Sequence, residues 1–149
     1  MTSYYSRNNY YRQNKQRLQD HQRQYEYKKY NEDKEHRLFK RYQSRVDNHF
    51  GTKVYKAEDL LSCSKSFFNT YIEFCLRDTN RATIDLALID LHHVTPVNTD
   101  PEDLKLWHWS NILPVTELEN LKQGTNIDKQ KEKIHKNRVL RFLHTIQLN

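Results

Sequence analysis

The sequence has few of the residues that cross-link a chain, interrupt it or carry it through a membrane. Its only cysteines, Cys63 and Cys75, stand twelve positions apart with no CxxC pair. The closely paired Cys and His ligands of a zinc knuckle are therefore missing, and no structural zinc is expected. Both thiols fall in an apolar stretch with helical spacing and read as small buried side chains in a reducing compartment; no disulfide is inferred. The start, MTSYYSRNNYYRQNKQ, has no apolar signal core, and no run approaches the ~18 apolar residues of a membrane span. The expectation is a soluble, intracellular protein with no membrane partner. With 149 residues, 36% apolar and 30% charged, the chain has room for one compact domain and an appendage, its core in the second half.

Charge is distributed unevenly. Residues 1–45 hold twelve Lys or Arg against five Asp or Glu, a balance of +7, while the remainder holds thirteen against fourteen, so the net +6 comes from the N-terminal segment. A one-sided basic excess suits a polyanion, and nucleic acid is favoured over an anionic membrane because the segment has almost no aliphatic face. The same charge also suits a solvated lysine-rich helix. Eight of the ten tyrosines lie in these 45 residues, interleaved with cations as in Tyr25-Glu-Tyr27-Lys28-Lys29-Tyr30. That pattern can meet phosphates with cations and bases with rings, though tyrosines on helices more often pack on a neighbour. Arg12, Lys15, Arg17, Arg23, Lys28 and Lys29 are the candidate nucleic-acid contacts of this arm.

Residues 1–13 show no periodicity and predict a disordered start. From Asn14 to Arg45 neither Gly nor Pro occurs, which predicts one long helix or two. Gly51 marks a hinge, and Ser62 or Ser64 can cap a helix running to about Arg77 whose face is Phe67, Phe68, Tyr71, Ile72, Phe74 and Cys75. Residues 86–94 read as a strand, the three prolines at 96, 101 and 114 mark a bent loop region, and Asn111–Val115 reads as a second strand. Thr116-Glu-Leu-Glu119 is a capping box and Gly124 a stop, giving a two-turn helix over 117–123. A last helix from Asp128 to about Gln147 should turn Ile134, Val139, Leu140, Leu143 and Ile146 inward.

His92 and His93 end the first strand, Asn111 opens the second, and Asn120 lies in the short helix. Imidazole nitrogen and amide oxygen can both ligate a divalent metal, and neutral imidazole accepts a proton near pH 7. Together they are the minimum for hydrolysing a phosphodiester: a cation for the phosphate and a base for the water. Adjacent strand residues point to opposite faces, so both histidines can serve one site only if the chain bends at Thr95-Pro96. Asp90 shares a face with His92 and is read as an alternative ligand or a partner of one. Trp107 and Trp109 are read as core, and His108 as structural. Lys122 is a further candidate phosphate contact.

Asp90-Leu-His92-His93-Val-Thr-Pro96-Val, Trp109-Ser-Asn111-Ile-Leu-Pro114-Val and Glu119-Asn120-Leu-Lys-Gln-Gly124-Thr-Asn126 together resemble the ββα-metal core of HNH endonucleases, in the subgroup whose last ligand is asparagine. The stretch from Ser62 to Phe74 resembles the helix that precedes this core in stand-alone HNH proteins of phages, large DNA viruses and mobile elements. The resemblance covers about residues 60–130 well and the arm loosely. It implies His92 and Asn120 as metal ligands, His93 as general base, and Asn111 as the residue holding the loop so that a backbone carbonyl orients His93. Many members of the subgroup carry Asp where this chain has His92, which bears on metal preference, and Leu113 stands where a polar residue is common.

The fold class expected is α+β: mainly helical, with a small ββα-metal (HNH) core at about 86–126 and a long N-terminal helical arm. The domains expected are a basic, Tyr-rich arm at 1–50 and an HNH nuclease domain at 51–149. The function expected is metal-dependent hydrolysis of DNA with one divalent ion, Mg²⁺ or Mn²⁺, leaving 5′-phosphate and 3′-hydroxyl ends as the resemblance implies. The partner is double-stranded or branched DNA, with RNA left open, and the chain acts as a monomer or homodimer. The alternatives are a catalytically inactive HNH-fold protein that binds nucleic acid or serves a virion structurally, and a helical coiled-coil interaction protein. The last is disfavoured by the absence of a sustained aliphatic heptad.

Overall fold

The structure, a computed structural model, describes residues 4–123 and 127–147; Gly124 and Asn126, singled out in the sequence, lie outside the described residues. The chain divides into two compact units, residues 1–37 and 38–149.

In the first unit, α1 spans Tyr4–Glu32. It begins well inside the stretch whose irregular composition predicted no element, because nothing between Tyr4 and Asn14 stops a helix already nucleated downstream. Arg12, Lys15, Arg17, Arg23 and Lys28 are exposed and Lys29 is half-buried. Tyr25 and Tyr27 are also exposed. The predicted helical region is two helices, and Asp33 makes the break. Its carboxylate accepts the His36 amide at 3.1 Å, the N-cap bond that starts α2, Lys34–Phe50.

From Leu38 onward α2 belongs to the second unit, so the division falls earlier than the 50/51 boundary expected from composition. The reason is its stripe of Leu38, Phe39, Tyr42 and Val46, all buried in the core. Gly51 follows at φ 105°, its N–H donating to the Asp47 carbonyl at 2.9 Å, a left-handed helix stop that other residues rarely adopt. After α3 (Ala57–Leu61), Ser64 caps α4 (Lys65–Asp78) by accepting the Phe67 amide at 3.1 Å. Phe68, Tyr71, Ile72, Cys75 and Leu76 form its buried face.

A 3₁₀ turn at Leu86–Leu88 leads into β1, Ile89–His93, which pairs antiparallel with β2, Ile112–Thr116. His92 lies opposite Leu113, and His93 opposite Ile112. The helix α5, Glu117–Gln123, follows without a linker. Thr116 accepts the Glu119 amide at 3.3 Å, and its hydroxyl donates to the Glu119 carboxylate at 3.1 Å. The carboxylate also pairs with Arg81. The unit is thus α+β, mainly helical with a small two-stranded sheet. No helix among the described residues is long and apolar enough to cross a membrane.

The final helix, α6, spans Lys129–Gln147 but turns a different face inward than its aliphatic residues predicted. His135, Arg138 and Phe142 are buried, whereas Ile134 and Leu140 are 49% and 63% exposed and Ile146 is exposed at 36%; Val139 and Leu143 are partly buried as expected. Phe142 sets the rotation. Its ring sits between Tyr71, Phe74 and Phe67, with centroids at 5.3, 5.3 and 5.5 Å, and Trp109 at 5.8 Å. Arg138 then reaches Asp78 at 2.8 Å. Phe142→Ala is expected to cost about 3–5 kcal/mol in urea unfolding, and Leu140→Ala less than about 0.5 kcal/mol. Equal costs would show that the rotation is wrong.

Candidate functional site

Alternation along β1 buries Ile89, Leu91 and His93 and turns Asp90 and His92 to the half-buried face. The helix α5 lies over that second face. The Asn120 Oδ1 is 3.1 Å from His92 Nδ1, and its Nδ2 donates to Asp90 Oδ2 at 3.4 Å. Asp90 therefore orients the amide so that its oxygen faces the imidazole. Two ligands at right angles on a cation with bonds of about 2.0–2.1 Å lie about 3 Å apart, so the His92–Asn120 spacing fits a shared divalent ion as well as a hydrogen bond. Among the described residues, no group of three or more His, Cys, Asp or Glu side chains gathers into a cage.

His93 is 5% exposed and is held by packing. Its ring meets Trp107 edge-on at 4.6 Å, with Tyr42 at 6.2 Å, and the Tyr42 hydroxyl donates to the Trp107 carbonyl at 2.6 Å. Burial, then the nearby charges of Arg45, His92 and His49, push its pKa down to about 3, so it is neutral at pH 7. Burial also lowers His92, opposed by its bond to Asn120. Although they point to opposite faces, both histidines line one cleft of about 390 Å³, because β1 ends at His93 and the cleft wraps around that end.

Asn111 closes the long loop between the strands. Its Oδ1 accepts the Thr95 amide at 2.9 Å, and its Nδ2 donates to the carbonyls of Thr95 at 3.0 Å and Leu106 at 2.7 Å. Asn111 thus ties both ends of this loop to the start of β2. Among the described residues no hydrogen bond holds the His93 ring, and its Nε2 is buried without a partner, as is Trp107 Nε1. The neighbours of Asn111 are fixed from behind. His135 Nε2 donates to the Ser110 carbonyl at 2.7 Å, and the Tyr71 hydroxyl to the Ile112 carbonyl at 2.6 Å. Arg138 Nη1 donates to His135 Nδ1 at 3.1 Å and is itself anchored on Asp78.

Of the remaining expected residues, Trp107 and Trp109 are core, and His108 accepts the Ser110 amide at 3.2 Å, a structural role. Cys75 is buried and Cys63 half-buried, both free, each pushed by burial to a pKa of about 12. Lys122 is exposed and lines a second cleft with Arg81, Lys131 and His92. The cations of α1 belong to the other unit. Sequence reasoning missed Arg45, Asn48 and His49, which α2 presents to the first cleft. Their spacing i, i+3, i+4 was the signal, hidden because the segment was assigned to the arm.

The buried histidines give stability a pH dependence. His135 is held at about 4 by burial, opposed by its bond to Ser110 and reinforced by Arg138. The unfolded chain therefore binds more protons between about pH 6.5 and 4. Stability should be full above about pH 6.5 and fall as pH drops through that window, by on the order of 3 kcal/mol for His135 alone. His135→Gln should flatten the fall in urea denaturation measured at several pH values. An unchanged slope would contradict the assignment.

No family model, curated protein or solved structure matches the chain.

Proposed function

We propose that the cleft at the end of β1 is the active site of a metal-dependent phosphodiesterase acting on DNA, of the HNH type that the sequence resembles. The observation that carries the reading is the convergence of His92 and Asn120 at 3.1 Å, beside a neutral His93, on a strand pair and helix closed by Asn111.

His92 and Asn120 would hold one Mg²⁺ or Mn²⁺, with Asp90 orienting the amide. Such an ion, when bound, supplies Lewis-acid stabilisation of the charge that builds on the phosphate. Every other role belongs to the chain. Burial is the main cause of the low His93 pKa; a phosphodiester anion would offset the smaller contributions of Arg45, His92 and His49 and so favour His93 as the acceptor of a proton from water. Trp107 and Tyr42 hold the ring while it does so. Asn111 keeps the loop from Thr95 to Leu106 closed at the cleft's rim. A single site of this kind cuts one strand, so a double-strand break needs a dimer or two nicks. The exposed cations of α1 supply sequence-independent attraction to the backbone.

The competing reading is a protein that binds nucleic acid on the same scaffold without cutting it. The low basicity of His93 favours it. Kinetics separate the two. His93→Ala should leave Mn²⁺ affinity close to wild type in calorimetry and slow single-turnover plasmid nicking by about a hundred- to ten-thousandfold. Asn120→Ala should weaken Mn²⁺ binding first, with nicking partly restored by added metal. Loss of metal binding in His93→Ala with retention in Asn120→Ala would reverse the assignment, and unchanged nicking in both would remove the site.

The arm is tested separately. Converting Arg12, Lys15, Arg17, Arg23, Lys28 and Lys29 to Gln should weaken duplex binding and flatten log affinity against log salt by about 0.9 for each phosphate that the arm no longer neutralises. These substitutions keep Leu38, Phe39 and Tyr42, which a deletion through residue 45 would remove from the core. An unchanged slope would show that DNA is held elsewhere.

A further inference from the structure

We propose that Arg45 is the phosphodiester-binding cation of this cleft, donating from its guanidinium to a non-bridging phosphate oxygen beside His92 and His93. The substrate class rests on the hydrolytic reading, but the observations behind Arg45 are independent of the metal ligands.

Four arginines of the second unit are buried or half-buried: Arg41, Arg45, Arg81 and Arg138. Three of them are satisfied by the protein. Arg41 donates to the carbonyls of Leu86 and Ile89 at 2.9 and 2.7 Å, Arg81 pairs with Glu119, and Arg138 with Asp78. Arg45 alone among them makes no hydrogen bond or ion pair with any described residue. Its side chain lines both the His92–His93 cleft and the adjoining hollow beside Asp90 and Asn120. A half-buried guanidinium with no hydrogen-bonded partner keeps its fork of donors open to a planar oxyanion. Burial lowers its pKa, with Tyr42 and Asp90 opposing, yet arginine stays cationic throughout the physiological range.

The rest of the cleft agrees on the ligand's sign. Among the described residues that line the cleft, Arg45 is the one permanent cation. Asn48 and His49 follow on the same helical face, the His49 Nε2 donating to the Pro101 carbonyl at 3.0 Å. No carboxylate lines the 390 Å³ cleft among the described residues. Two buried polar atoms in its wall, His93 Nε2 and Trp107 Nε1, lack partners as well. An anion fits this lining, and on the hydrolytic reading that anion is a phosphodiester.

The test uses the full chain in EDTA and a dinucleoside monophosphate, which carries one phosphodiester and is too short to gain from the arm. Imidazole C–H resonances of His92 and His93 are followed by NMR in wild type, Arg45→Lys and Arg45→Ala. Sodium phosphate and sodium chloride at matched ionic strength are run in parallel. The dinucleotide should shift the two histidines, with the midpoint raised about ten- to a hundredfold in Arg45→Ala and less in Arg45→Lys. Nicking by Arg45→Ala should fall about a hundred- to a thousandfold. The inference is overturned if the midpoint is the same in Arg45→Ala, if the dinucleotide shifts neither histidine in wild type, or if either salt reproduces the shift. An Arg45-dependent shift in a wild-type protein that never nicks DNA would uphold the anion site and refute hydrolysis. Normal nicking by Arg45→Ala beside a dead His93→Ala would refute the role of Arg45 and leave hydrolysis standing. Because Arg45 is bonded to no described residue, its replacement should not disturb folding, and the spectrum itself reports whether it has.

Discussion

The candidate site depends on one side-chain amide. Asn111 ties Thr95 and Leu106 to the start of β2 with three hydrogen bonds of 2.7–3.0 Å, so a loop with two prolines returns to a fixed point. That closure places Trp107 against His93 and brings β1 and β2 into the register from which α5 delivers Asn120 to His92. Asn111 is in turn framed by two carbonyls, Ser110 and Ile112, which His135 and Tyr71 hold from behind. The chain of contacts ends on the Asp78–Arg138 ion pair, whose side chains are 21% and 10% exposed, where the local dielectric makes such bonds matter more than at an open surface. A chemical site of few residues is thus set by a polar network between α4, α6 and the loop.

Much of this could be read in the sequence where one local rule decides the outcome. Thr116-Glu-Leu-Glu119 fixed where α5 begins, Ser64 fixed α4, and the apolar–polar alternation around His92 gave β1. The pairing of His92 with Asn120 was legible only through the motif, since spacing along the chain does not say which helix covers which strand. Where long-range packing decides, the local rules fail. The inward face of α6 follows Phe142 and a buried Arg138, and counting aliphatic residues selects the wrong stripe because the burial of Arg138 is offset by Asp78 on another helix. The division within α2 was misplaced for a similar reason: its basic composition is continuous with the arm, while Leu38, Phe39, Tyr42 and Val46 belong to the core.

That misplacement hid part of the chemistry. In a solvated arm Arg45 counts only as charge and His49 not at all; in the structure they line the same cleft as His92 and His93. The consequence is electrostatic. Burial, with Arg45 beside them, lowers the pKa of both histidines.

The most direct test is conversion of supercoiled plasmid to open circles by the purified wild-type chain. Metal-dependent hydrolysis at this cleft predicts nicking in Mg²⁺ or Mn²⁺, none in excess EDTA, recovery when metal is restored, and ends that a ligase can seal. Nicking that persists in EDTA, or its complete absence in both metals with DNA bound, would contradict it.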